Sequence, residues 1–250
     1  MSTGRARGDP DRDDRTGHRR LPLLISVPHA GLKVPEEVAR YVILTPEQIA
    51  RDGDGQAAAI FSGLEERVAA FHISKVARVV VDLNRAPNDR RPDGVVKTHT
   101  CWGEPVYDPS PPEEVLARLI ALYHTPYHRA LSEAAGRAGL RLGVDCHTMA
   151  AEGPPIGPDP GRPRPLVCLS NADGTCPDAW MAALSRAFME WAGDSVSLND
   201  PFRGGHIIRS HAPELPWVQI EISRTNRFSP EEKRRAVELA LERFCRETLV

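Results

Sequence analysis

The sequence predicts a single α/β domain in which helices flank a central sheet. From Leu21 onward, short apolar runs alternate with longer stretches of helical period, the order of an α/β chain and not of a bundle or a sandwich. The short runs are β-branched and apolar almost throughout, as strands covered on both faces are. The longer stretches open where a hydroxyl residue precedes Pro and an acid or amide follows. Such a box caps the orphan backbone N–H groups and places Pro where no donor is needed.

In chain order, the first strand is expected over 23–27. Thr45-Pro46-Glu47-Gln48 then opens a helix over 46–71. Within it Gly53 and Gly55 would each cost a helix interior about 1 kcal/mol relative to Ala, which predicts a break or a junction of two shorter helices. A second strand is expected over 76–83. Ser110-Pro111-Pro112-Glu113 opens a helix over 112–138, kinked at Pro126. Strands over 140–146 and 166–169 bracket a Pro- and Gly-rich segment, 151–165, which reads as an irregular loop long enough to have a function. Thr175-Cys176-Pro177-Asp178, a weaker box, opens a helix over 177–192. A Gly turn precedes an edge strand over 206–209, the last strand covers 217–222, and Ser229-Pro230-Glu231-Glu232 opens a helix over 230–249. Residues 1–20 carry almost no apolar side chain and are expected to form a disordered tail, leaving 21–250 as the domain.

Composition narrows the function classes. Lys and Arg number 32 against 34 Asp and Glu, a net charge of -2, so no electrostatic footprint for nucleic acid or an anionic membrane exists. The five cysteines are odd in number and widely spaced and form no Cys-x-x-Cys, which argues for reduced thiols in a cytoplasm over a disulfide framework or zinc ribbon. No apolar run approaches a membrane span, and the N-terminus lacks the apolar core of a signal peptide. The 23 prolines exceed the usual share, yet they punctuate structure: Pro46, Pro111 and Pro230 at helix starts, Pro28, Pro87 and Pro201 beside candidate site residues, and several more in the 151–165 loop.

The chemistry-bearing residues fall at strand ends. His29 follows the first strand, Asn84 and Arg85 the second, His147 the third, and Glu221 lies in the last. Ligands of open α/β sheets bind outside the carboxyl ends of the strands, so these side chains point at one rim. Two imidazoles and a carboxylate leave a tetrahedral zinc one position for water, the arrangement a hydrolytic metal needs. His29 and His147 are the imidazole candidates, and Asp52 or Asp54 the carboxylate. Asp82 and Asp145 each lie two residues before a site candidate, on the same strand face, and can take an imidazole N–H. The paired glycines after Phe202 allow close backbone approach, leaving Arg203 to meet a substrate carboxylate and His206 a developing oxyanion. Tyr127 and His128 are expected to pack or to hydrogen-bond, and Cys146 to be a small core residue.

The series Ser-Val-Pro-His29-Ala-Gly, Arg-Asp52-Gly-Asp54, Asp-Leu-Asn84-Arg85-Ala-Pro, Thr-Pro-Tyr127-His128, Asp145-Cys146-His147-Thr148, Phe202-Arg203-Gly204-Gly205-His206-Ile-Ile-Arg209 and Gln219-Ile-Glu221 resembles the N-formylglutamate amidohydrolase family, in order, over about 21–224. The resemblance implies a carboxypeptidase-like (phosphorylase/hydrolase-like) domain with a mixed, mostly parallel sheet. It also implies zinc-dependent hydrolysis of N-formylglutamate, a small-molecule N-acyl amino acid, to formate and glutamate in histidine degradation. Carried over, it makes His29 and His147 metal ligands, with a third in Asp52-Gly53-Asp54. Asp52 is favoured, the first acid of that stretch being the one relatives can keep. It matches Glu221 to the general base and Asn84-Arg85 to the pair that grips the substrate carboxylate. Thr148 and the 151–165 loop depart from the family pattern and bear on substrate selectivity. Cleavage of another small amide or peptide is the nearest alternative, and a binding module without turnover is disfavoured by the presence of Glu221.

Overall fold

A computed structural model describes residues 20–249; the expected tail therefore lies, but for Arg20, outside the described residues. In chain order the elements are β1 (Leu21–Val27), α1 (Glu36–Ala39), α2 (Pro46–Asp52), α3 (Ala57–Phe61), β2 (Val68–Ile73), α4 (Glu113–Leu119), α5 (Thr125–Ala135), β3 (Leu142–Met149), β4 (Val167–Ser170), α6 (Asp178–Ala192), β5 (Val196–Leu198), α7 (His206–His211), β6 (Trp217–Ser223) and α8 (Pro230–Thr248). Among the described residues the strands form one six-stranded sheet in the order β2-β1-β3-β6-β4-β5. Only the β4/β6 pair is antiparallel. The sheet is thus mixed and mostly parallel, with helices on both sides.

Alternation sorts the strand residues between two cores. Leu23, Ile25, Val27, Val144 and Cys146 pack with α3, α6 and α8. Leu24 and Trp217 pack with α5 and α7 on the other face. A third cluster gathers Val79, Val80 and Val81 with Val38, Val95 and Val106 beside the sheet. On the α5/α7 face, register lines up Ser26 with Asp145, Asp145 with Gln219, and His147 with Glu221. Three adjacent parallel strands thereby carry polar side chains to one place at their carboxyl ends.

Local sequence accounts for most boundaries. Thr45/Gln48 and Ser229/Glu232 form the reciprocal capping boxes in full. Ser110 does not cap: α4 starts after Pro112, without a side-chain cap. The Thr175 hydroxyl is spent on the Asn171 and Trp217 carbonyls. Instead of one helix over 46–71, α2 stops at Asp52, a turn holding Gly53 and Gly55 follows, and the stretch ends in β2. A short run of mainly apolar residues at a sheet edge is ambiguous in period, and parallel pairing with β1 decided it. The converse error is the expected strand over 76–83, which forms turns and two isolated bridges, Gly31 to Ala77 and Lys33 to Val76. Val79, Val80 and Val81 are fully buried, so its apolar character reflects burial and not strand pairing. The helix expected over 112–138 is divided by a π turn at Ile120–His124, just before Pro126, where a widened turn tolerates the missing N–H. The edge strand expected over 206–209 is instead α7, and the three-residue β5 has no sequence signal of its own.

Trp217 requires a glycine opposite it. A Cβ on Gly143 would lie 2.2–2.5 Å from three indole ring atoms of this fully buried residue. Gly143→Ala is expected to lower stability by about 2 kcal/mol or more, at or above the middle of the range for overpacked cores, read from the urea midpoint. An unchanged midpoint would mean that the indole has room to shift.

Candidate active site

His29 follows β1 and His147 sits near the end of β3, and each is held by one buried carboxylate. His29 Nε2 donates to Asp82 Oδ1 at 2.8 Å, and His147 Nε2 to Asp145 Oδ2 at 2.8 Å. An ionised carboxylate only accepts, so these bonds put the protons on Nε2 and leave both Nδ1 atoms as lone pairs. Those lone pairs face each other at 3.1 Å. Asp54 Oδ2 lies 3.2 Å from Nδ1 of His147 and 3.8 Å from Nδ1 of His29. Three buried acceptors that converge without a shared donor repel one another, and a cation among them removes the conflict. The spacing suits one, since tetrahedral bonds of about 2.0–2.1 Å span ligand edges of about 3.3–3.4 Å. Without a metal, the same cage draws a proton. Burial opposes the charge on His147, but Asp145 and Asp54 outweigh it and hold that imidazole well above its ordinary range. Burial pulls His29 below the ordinary range.

The carboxylate beside the imidazoles is Asp54, not Asp52. Both oxygens of Asp52 are committed elsewhere: the buried Lys97 Nζ donates to Oδ2 at 2.8 Å and the Cys101 N–H to Oδ1 at 2.9 Å. Asp54 emerges from the turn between α2 and α3, where its N–H bonds the His29 carbonyl and its Oδ2 accepts from the Thr148 N–H at 3.0 Å. The two glycines marked the break, but nothing local marked Lys97 as the partner of Asp52.

Glu221 stands beside His147 on β6, and its geometry is settled by a short chain of donors. The Gly205 N–H donates to Gln219 Oε1 at 2.7 Å, which turns the Gln219 amide so that Nε2 donates to Glu221 Oε1 at 2.9 Å. The other carboxylate oxygen makes no hydrogen bond to the described residues. Burial, opposed by His147 and aided by Asp54, pushes this carboxyl up to about 7. These groups line a cavity of about 460 Å³ that is roofed in part by Pro154, Ile156 and Arg164 of the 151–165 loop.

The other expected site residues are placed differently. Asn84 borders the cavity, but its Oδ1 accepts the Ile207 N–H at 2.8 Å and its Nδ2 donates to Asp145 at 3.2 Å, so its amide caps α7 and braces the framework. Arg85 lines the cavity while donating to the Asp93 carbonyl and carboxylate, both at 3.0 Å. Arg203 lines it as an exposed side chain. His206 is not among the lining residues: as the first residue of α7 it faces His128 and His124, with ring centroids at 5.3 and 6.1 Å.

The model of the N-formylglutamate amidohydrolase family matches residues 21–226. The chain belongs to that family. The N-formylglutamate deformylase of Pseudomonas aeruginosa is 31% identical over 219 residues, covering 82% of this chain and 81% of the relative. The N-formylglutamate deformylase of Pseudomonas putida is 29% identical over 222 residues, with the same coverage. The crystal structure of N-formylglutamate amidohydrolase from Ralstonia eutropha JMP134 shares the fold, with a TM-score of 0.73, 23% identity, and 91% of this chain and 92% of that one covered.

A second histidine group in this family member, His124, His128 and His206, is compact enough to suggest a metal, but three of its six ring nitrogens already have partners. His124 Nε2 and His128 Nε2 donate to the carbonyls of Arg85 and Leu83 at 2.8 and 2.9 Å, and His128 Nδ1 faces His211 Nε2 at 2.9 Å. Both ring nitrogens of His128 thus face partners of their own. Burial, followed by the nearby His124, His211 and His206, pushes His128 down to about 3. A histidine neutral when folded and protonated when unfolded adds nothing to the pH dependence above about 6.5 and lowers stability as pH falls from there towards 3. The ring resonances of His128 are therefore expected to stay unshifted in an NMR titration from pH 8 to about 4.5. A midpoint near 6.5 would contradict this placement.

Proposed function

We propose that the chain is a metal-dependent amidohydrolase that cleaves N-formyl-L-glutamate to formate and L-glutamate. The observation that carries this reading is the convergence of His29 Nδ1, His147 Nδ1 and Asp54 Oδ2, at 3.1–3.8 Å, beside the single-bonded carboxylate of Glu221. Those three residues would hold one zinc ion. The substrate is taken from the names of the two Pseudomonas relatives. Five free thiols suit a reducing cytoplasm, and among the described residues no helix is long and apolar enough to cross a membrane.

When bound, a divalent cation supplies Lewis acidity, polarising the formyl oxygen and acidifying a water. The chain's own residues do the remainder. The unpaired oxygen of Glu221 takes a proton from the attacking water and returns it to the glutamate nitrogen as the C–N bond breaks, so one water is consumed and no other proton carrier is needed. Burial, which raises this carboxyl, suits it both to take the proton and to give it back. Asp82 and Asp145 keep the imidazoles in the tautomer that turns Nδ1 inward. Arg85, whose Nη1 is not engaged by Asp93, takes the α-carboxylate, and Arg203 adds a second cation at the cavity.

Glu221→Gln is expected to lower kcat by about 10²- to 10⁴-fold while the protein retains its metal. Metal analysis should find one equivalent in the wild type, and near none in His29→Ala, His147→Ala and Asp54→Asn. Full activity of Glu221→Gln, or a full equivalent of metal in Asp54→Asn, would remove these assignments.

A further inference from the structure

Seven cationic side chains line the cavity, and most of them already have partners. Lys97, Arg78, Arg85 and Arg164 are paired with Asp52, Asp82, Asp93 and Asp159. Arg224 donates to the Gly53 carbonyl at 2.7 Å. Arg51 and Arg203 remain, with no anionic partner among the described residues.

Both side chains are exposed, but they are held very differently. Arg203 lies on an irregular segment, and nothing described fixes its guanidinium. The guanidinium carbon of Arg51 lies 3.7 Å from the ring centroid of Trp102, which also lines the cavity. This stacking follows from the way α2 is fastened to the loop around Trp102. Gln48 and Asp52, one helical turn apart, bond Glu104 Oε1 at 3.0 Å and the Cys101 N–H at 2.9 Å. Arg51 and Trp102, each next in sequence to the Asp52–Cys101 bond, are set against each other. The indole takes one face of the guanidinium, and every N–H donor around its edge stays without a described partner. A planar fork held in this way matches a carboxylate and has little side-chain entropy left to lose.

An N-formylglutamate dianion presents two carboxylates, and Arg85 accounts for one. We propose that Arg51, laid on Trp102, binds the side-chain carboxylate of the substrate and so sets a preference for acidic acyl amino acids. The assignment rests on the function proposed above and adds a specificity residue to it. It also gives Asp52 a role: with Lys97 behind it, Asp52 fastens the two halves of the clamp.

The test compares N-formyl-L-glutamate with N-formyl-L-glutamine as substrates, and L-glutamate with L-glutamine as ligands in calorimetry. Arg51→Gln is expected to raise KM for N-formylglutamate by about 10- to 100-fold with kcat nearly kept, to leave N-formylglutamine unaffected, and to weaken glutamate binding in parallel. Arg51→Lys should recover part of the loss, because a point charge lacks the fork, and Trp102→Leu should lose less than Arg51→Gln. An unchanged preference in Arg51→Gln, or a preference lost in Arg203→Gln alone, would overturn the proposal. A wild-type protein that hydrolyses neither compound, yet binds glutamate in an Arg51-dependent way, would overturn the proposed hydrolysis and leave this site standing.

Discussion

Two buried carboxylates, Asp82 and Asp145, hold the site together. Asp82 receives His29, the Asn84 N–H and Arg78; Asp145 receives His147, the Asn84 amide and the Ser26 hydroxyl. A buried anion with missing partners is costly, so each of these groups is fixed by the need of the carboxylate it serves. Fixing them fixes the imidazole tautomers, and the tautomers turn two lone pairs towards each other. The convergence of the two Nδ1 atoms is thus a consequence of bonds made on the far side of the rings. Ser26 extends the network to the Tyr127 hydroxyl at 3.0 Å, which links α5 to His147 through three hydrogen bonds.

The sheet supplies the alignment and one close contact seals it. Asp145, His147, Gln219 and Glu221 fall on one face because β3 and β6 pair in register, and no loop has to be ordered to bring them together. The turn before α7 then approaches closely: a Cβ on Gly205 would lie 2.2–2.4 Å from the Asn84 amide. That closeness lets the Gly205 N–H orient Gln219, and through it Glu221. The Glu221 side of the site and the imidazole side meet at Asn84, which bonds Asp145 with one end of its amide and the start of α7 with the other.

What was legible in the sequence was whatever depends on local order. The strand that leads into His29, the Asp-x-His pairing on β3, the placing of Glu221 on the last strand and two capping boxes are all matters of local spacing, and alternation or helical pitch translates them directly. Long-range partnership was not legible. The valines at 79–81 look like a strand because a buried turn and a buried strand require the same side chains. His206 follows a Gly turn as a ligand-binding residue might, but α7 begins there because Asn84, far away in sequence, caps it. Asn84 in turn looks available to substrate until its partners are known.

The Asp52-Gly53-Asp54 stretch shows how one local break serves two purposes. In an uninterrupted α-helix, residues two apart diverge by about 200° around the axis, so one of these acids would face away from the imidazoles and the other would still follow the helix. Here α2 ends at Asp52, whose side chain stays on the helical face that meets Lys97 and Cys101, and Gly53 continues in extended conformation, φ −79° and ψ −174°. Neither a positive φ nor a steric contact demands glycine at 53 or 55, since added Cβ atoms would meet nothing nearer than 3.5 Å. The glycines act through their poor helix propensity alone, by stopping the screw one residue after Asp52. Asp54 is thereby released towards His29 and His147 while Asp52 remains to anchor the loop that carries Trp102. Two carboxylates separated by one residue come to serve different partners, one the two imidazoles and one the loop that carries Trp102.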